Sequence, residues 1–130
     1  MDRRAINPDA SFDPSDRRYS HAWTAGGTLY MSGQTGWRPD MTLAGDDIAA
    51  QTRQAFENVG SILEAVDRDL GDVVKVTSYF VDIDRDLAGY KDVWADVFDE
   101  PWPAHTAIGV EALAHPDLLV EVEAEAPLAE

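Results

Sequence analysis

The order of elements along the chain predicts an α+β fold, a β-sheet with two helices packed on one face. Three observations carry that prediction. Two stretches repeat apolar residues at steps of three and four, the helical period, and five shorter stretches are β-branched or alternate apolar with polar, the strand period. Their order along the 130 residues is ββ-α-β-α-ββ, in which hairpins and helices mix without the strict βα alternation of a parallel sheet.

Residues 1–17 are polar, hold Pro8 and Pro14, and read as a loosely ordered N-terminal arm ahead of a single domain over 18–130. SHAWTAGGTLYMSG reads as two strands, about 19–24 and 28–33. Gly26-Gly27 between them permits the positive φ of a tight hairpin. GWRPDMTLAG follows as a loop. The first helix is predicted from Asp46 to Leu70, with Ala55, Phe56, Val59, Ile62, Leu63, Val66 and Leu70 as its apolar stripe and Gly71 as its stop. Asp46 and Asp47 suit its N-terminus. Gly60, inside the helix, predicts close packing.

VVKVTSYFV, residues 73–81, is β-branched and aromatic and reads as a strand. Val74, Val76, Ser78 and Phe80 share one face; Lys75, Thr77 and Tyr79 share the other. A second helix is predicted over 86–98, buried through Leu87, Tyr90, Trp94, Val97 and Phe98 and closed by Pro101. Two strands finish the chain, about 105–110 and 118–126. The second alternates Leu118, Val120, Val122, Ala124 and Ala126 against Glu121, Glu123 and Glu125. With both helices on one face, the other sheet face is either left wet or buried between subunits around a shared cavity.

The charge balance narrows the function. There are 25 acidic against 10 basic residues, a formal net charge of −15, and the only lysines are Lys75 and Lys91. Such a chain repels phosphate backbones, so no nucleic-acid partner is expected. The acids are spread along the chain, which fits a solvated surface adapted to a salty cytoplasm. No apolar run is long enough to span a bilayer and no apolar leader opens the chain, so a soluble cytoplasmic protein with no membrane partner is expected. Without cysteine there is neither a disulfide nor a thiolate nucleophile.

Phosphate-cradling, dinucleotide-binding, zinc-protease and nucleophile-elbow motifs are all missing. His21, His105 and His115 do not share a helix or strand face, which argues against a metal. His115, in AHPD, reads as a turn residue and His21 as packing or solvent-facing. His105 lies where the Pro-stiffened PWPAHT enters a strand, and the residues alone leave it open between a ligand group and a structural one.

SHAWTAGGTLYMSGQTG, GDDIAAQTRQAFENVGSILEA, DVVKVTSYFVDIDR, PWPAHTAIGVEAL and LVEVEAEA, in that order, resemble the Rid family of reactive intermediate deaminases, also called YjgF-like. The resemblance covers residues 18–126. It implies a chorismate-mutase-like fold, a homotrimer with a small-molecule substrate cleft at each subunit interface, and hydrolysis of reactive enamines and imines without metal or organic cofactor. The family's deaminases hold the substrate carboxylate with an arginine in P-x-R-[ST]. This chain reads PAHT, so His105 stands there and the chain resembles the arginine-lacking branch. A neighbouring carboxylate would be needed to keep His105 cationic, and the lost fork would cost roughly 10²-fold or more in kcat/KM on 2-imino acids.

The other implied site residues carry over one by one. Glu121 is expected to orient the attacking water. Tyr19 is expected to close the cleft, and Gly33 to let backbone approach the ligand. Lys91 falls where the family often has an asparagine facing the cleft. Trp37 and Trp102 either make the pocket aromatic or pack at the trimer interface. The rival to a hydrolase is a non-catalytic small-molecule-binding or interaction trimer. Salt adaptation carries its own test: the unfolding midpoint in denaturant should rise as KCl is raised, and a falling midpoint overturns it.

Overall fold

The computed structural model describes residues 2–129. Its strands are β1 (Arg3–Ile6), β2 (Ala22–Ala25), β3 (Thr28–Met31), β4 (Lys75–Phe80), β5 (Ala104–Gly109) and β6 (Val120–Pro127); its helices are α1 (Ile48–Glu64) and α2 (Ile83–Val97). The α+β prediction holds. One six-stranded sheet runs in the order β1-β2-β3-β6-β4-β5. Every pairing is antiparallel except β4 with β5, whose parallel connection is made through α2. Among the described residues no helix is long and apolar enough to cross a membrane.

Local chemistry accounts for the boundaries. Gly26 and Gly27 both have positive φ, 58° and 82°, and close the β2–β3 hairpin as predicted. The Asp47 side chain accepts the Ala50 N–H at 2.8 Å and starts α1. Asp82 accepts the Arg85 N–H at 3.2 Å and starts α2 three residues earlier than the apolar pattern suggested. α1 ends at Glu64, not at Leu70. Arg68 N–H reaches Leu63 O at 3.0 Å, Asp67 N–H reaches Glu64 O at 3.1 Å, and Asp67 takes φ 58°. That is a left-handed C-terminal stop built on aspartate instead of glycine, which is why the expected helix end at Leu70 was six residues too late. Gly71 instead lies in a single 3-10 turn, Leu70–Asp72.

Residues 2–17 are also more structured than a loose arm. β1 pairs with β2 in the register Ile6↔Ala22, Ile6 is buried, and Ser15–Arg17 forms a 3-10 turn. The polar composition concealed this because an edge strand buries little; here only Ile6 of the four is buried.

The core lies between the helices and one sheet face. Val76, Ser78 and Phe80 of β4 and Val120, Val122, Ala124 and Ala126 of β6 meet Ala55, Phe56, Val59, Ile62 and Leu63 of α1, and Tyr90 of α2. Phe56, Phe80, Tyr90, Trp94 and Phe98 pack as an aromatic cluster with centroids 4.6 to 6.1 Å apart. Val74, predicted on this face, is instead exposed, because β4 begins one residue after it.

The tight helix–helix approach is at Gly89, where a Cβ would meet Ile48 Cγ2 at 2.8 Å. At Gly60, where close packing was expected, a Cβ would find only Leu70 at 3.9 Å. Gly60→Ala should therefore stabilise the fold by about 0.5–1 kcal/mol, read as a raised denaturation midpoint at unchanged m-value. A loss of stability would show that this helix face is closed off by another subunit.

Candidate functional site

Strand alternation divides the candidate residues between the two faces of the sheet. Glu121 pairs across β6–β4 with Tyr79, and His105 pairs across β5–β4 with Val76. Neighbouring residues of a strand face opposite ways, so Glu121 lies on the open face and His105 on the helix face. One chain therefore carries the candidate residues in two separate groups.

The first group lies in a cavity of about 70 Å³ lined by Tyr19, Gly33 and Glu121 together with Phe12, Arg17 and Trp37. Gly33 leads into it from β3. Gln34 continues the sheet beyond Gly33: its N–H reaches Val122 O at 2.7 Å and its carbonyl accepts Val122 N–H at 2.8 Å. A Cβ on Gly33 would fall inside the Glu121 carboxylate. The glycine thus lets the acid lie against bare backbone, and any side chain there would displace the carboxylate from this position. Burial, reinforced by the charge of Glu123, raises the Glu121 pKa above the ordinary glutamate value. Glu123 itself accepts the Tyr79 hydroxyl at 2.6 Å, an anchor that pushes the Tyr79 pKa up to about 12. Tyr19 precedes β2 instead of beginning it, and it is part-exposed at the cavity mouth.

The cavity floor is held by buried side chains. His21 is 1 % exposed; its Nε2 faces Phe12 O at 2.7 Å and its Nδ1 faces Gln34 Nε2 at 3.2 Å. It is a packing residue that ties the N-terminal segment to the sheet. Asn58 of α1 donates to Thr35 O at 3.0 Å and Trp37 O at 2.8 Å, fixing the loop after Gln34. Trp37 packs edge-on against His115 at 5.1 Å, and His115 Nδ1 accepts the Asp117 N–H at 3.1 Å in a turn, as its sequence context implied.

The second group lies in an open pocket of about 340 Å³ lined by Lys91, Trp94 and Ala95 of α2 and by Trp102, Pro103 and His105. His105 is the one residue of β5 that is not fully exposed. Its ring stacks on Tyr90 at 5.6 Å and 15° and lies 4.5 Å from Trp94. Within one chain no carboxylate raises its pKa; burial, then Lys75, then Lys91 lower it, which disfavours the cation contemplated from the sequence. Both lysines of a chain with net charge −15 thus act on this one histidine.

Hydrogen-bond accounting fixes its tautomer. The Tyr90 hydroxyl is buried, its pKa is driven far up by desolvation, and among the described residues its partner is Ser78 Oγ. A buried phenol left without an acceptor is costly, so Tyr90 donates to Ser78. Ser78 then donates its own proton to His105 Nε2, 3.0 Å away. Nε2 accepts, and the neutral ring carries its proton on Nδ1, which remains as the donor for a ligand. The sequence held one sign of this relay: Ser78 is a polar residue on an otherwise apolar strand face.

The family profile described as endoribonuclease L-PSP matches residues 11–128. The chain belongs to that family. A RutC family protein of Pyrococcus horikoshii is 42% identical over 107 residues, covering 82% of this chain and 83% of the relative. A protein of Dermatophagoides farinae named 2-iminobutanoate/2-iminopropanoate deaminase is 36% identical, covering 81% of each. The crystal structure of RidA from an Antarctic Psychrobacter superposes with a TM-score of 0.88 at 35% identity, over 96% of this chain and 99% of that one. Within the endoribonuclease L-PSP family, then, the Rid and YjgF-like resemblance drawn from the motifs stands, as does the two-helix mixed sheet.

Nitrogen NMR of His105 should show an unprotonated Nε2 and a protonated Nδ1 at neutral pH. Ser78→Ala should let the two tautomers mix. A protonated Nε2 in the unsubstituted protein would reverse the relay.

Proposed function

We propose that this chain hydrolyses small reactive enamines or imines in a homotrimer whose site is completed where two copies meet. The observation that carries the proposal is Glu121: a part-buried carboxylate of raised pKa, seated on the Gly33 backbone beside Tyr19. Such a group is suited to take a proton from water. The imine enters protonated on nitrogen. Water oxygen bonds to the iminium carbon as Glu121 accepts one water proton, giving the neutral carbinolamine. Glu121 passes that proton to the amine nitrogen, the C–N bond breaks as Glu121 takes the remaining hydroxyl proton, and that proton goes to the departing ammonia, leaving the carbonyl product, ammonium and an ionised Glu121.

His105, Lys91 and Trp102 would enter from the neighbouring copy, because within one chain they face the other way from Glu121. Two surfaces support assembly. β5 is an edge strand exposed at every position but His105. The open sheet face shows Trp23, Tyr30 and Ile108, each more than a third exposed. An unpaired edge beside exposed aromatics is what a closed ring of subunits would cover. The homotrimer itself is taken from the family resemblance.

A neutral histidine holds a 2-imino acid less firmly than arginine would, and this favours a second reading, a binding trimer without turnover. A ribonuclease reading gains nothing from a chain of net charge −15 that lines its open face with Glu121, Glu123 and Glu125.

The deciding experiment is ammonia release from 2-aminoacrylate generated in situ. Glu121→Ala should lose about 10²- to 10⁴-fold in kcat/KM. The base must be ionised, so activity should fall as pH drops through the Glu121 pKa, with a midpoint above 4.5. Glu123→Gln removes the like charge and should move that midpoint down. Ligand binding without ammonia, in the unsubstituted protein and in His105→Arg alike, would establish the binding trimer instead.

A further inference from the structure

The Glu121 cavity contains a cation that the proposed hydrolysis has not used. Arg17 ends the Ser15–Arg17 3-10 turn and lines the cavity with Tyr19, Gly33 and Glu121. Among the described residues Arg17 belongs to none of the ion pairs, as is true also of Arg3, Arg4, Arg18 and Arg38; what sets it apart is that it lines the cavity of the candidate base. Its guanidinium stacks instead over the Phe12 ring, 5.6 Å from the centroid. Phe12 is fixed twice by the buried His21, through its carbonyl at 2.7 Å and through an edge-on ring contact at 4.7 Å. A planar fork is thus positioned beside a carboxylate-lined cavity with its donors unspent.

Tyr19 locates the fork relative to the base. Its hydroxyl pKa is raised mainly by burial, is pulled back down by Arg17, and is raised by Glu121, so cation and carboxylate act on the same phenol from within one cavity. With about 70 Å³, this cavity encloses only the polar head of a ligand, and the remainder lies outside it.

From this geometry, and resting on the hydrolase reading of Glu121, we infer that Arg17, and not His105 of β5, is the carboxylate anchor of the site. The carboxylate pairs with the Arg17 fork, the adjacent C=N or C=O carbon lies toward Glu121, and the side chain extends to the partner copy. Recognition is then divided. Arg17 supplies the charge, while His105, when neutral, supplies at most a hydrogen bond from Nδ1.

Calorimetric titration with 2-oxobutanoate and with its neutral amide tests this without requiring turnover. The unsubstituted protein should prefer the carboxylate. Arg17→Met should weaken 2-oxobutanoate about 10- to 100-fold and leave the amide unchanged, so that the preference collapses. Arg17→Lys should keep part of it. Arg18→Met removes an equal charge one residue away and should keep all of it, which separates a contact from the general field. Both arginines are exposed, so these variants should fold. Absence of carboxylate preference in the unsubstituted protein, or its persistence in Arg17→Met, overturns the anchor. If the protein binds 2-oxobutanoate through Arg17 but releases no ammonia, the anchor stands and the hydrolase reading falls. If ammonia release has the same KM in Arg17→Met, the reverse holds.

Discussion

The strict alternation of β6 is the constraint on which the rest of the structure depends. β6 lies between β3 and β4 and is hydrogen-bonded on both sides. Its even-numbered residues, Val120 to Ala126, are at most 2 % exposed beneath the helices. A shift of one residue would bury three glutamates and expose the apolar row, at a cost no small domain can bear. The register is therefore fixed by the core, and Glu121 is delivered to the open face as a consequence. The same register opposes Gln34 to Val122 and brings Gly33 under the Glu121 carboxylate. The geometry of the candidate base follows from core packing two layers away.

Two side-chain amides of α1, one buried and one half-buried, carry that rigidity into the loops. Gln51 is fully buried and makes three hydrogen bonds, donating to Gly45 O and Asp117 O and accepting from Leu119 N–H. Asn58, two turns further along α1, holds the loop that carries Trp37. Leaving such a group unpaired costs about 1–3 kcal/mol, so each is as much a fixed point as a core residue. This gives a physical meaning to the QTRQAFENV stretch. Its apolar residues pack on the sheet, and its first glutamine and its asparagine tie the two loops beside the cavity to one helix.

Charge is apportioned between the two groups in a way that composition conceals. The chain carries an acid excess over its whole surface, yet both lysines act on His105, and an unpaired arginine lies near the candidate base. The histidine's pKa is lowered by the same burial and cations that would draw an anionic ligand toward it. A guanidinium reaches the Glu121 cavity from a segment far from His105, because that cavity is assembled from three separate parts of the sequence.

What the sequence alone determined was set by period and by local chemistry. Helical and strand periods fixed the α+β class, the two helices on one face and the alternation of the last strand, and Gly26-Gly27 fixed the hairpin, since each depends on residues close together in the chain. The end of α1 was misplaced because Asp67 adopts the left-handed conformation usually taken by glycine. β1 was missed because an edge strand with one buried residue leaves almost no apolar pattern. Motif resemblance singled out Glu121, Gly33, Tyr19, Lys91, Trp102 and His105 as candidates but could not say how they are grouped. Only the tertiary structure decided that they fall into two groups on opposite faces, that His105 is held by Ser78 and Tyr90 with its pKa lowered, and that Arg17 shares the cavity of Glu121. Those facts rest on contacts between residues far apart in sequence, whose pairing is settled by strand register and burial and leaves no local trace.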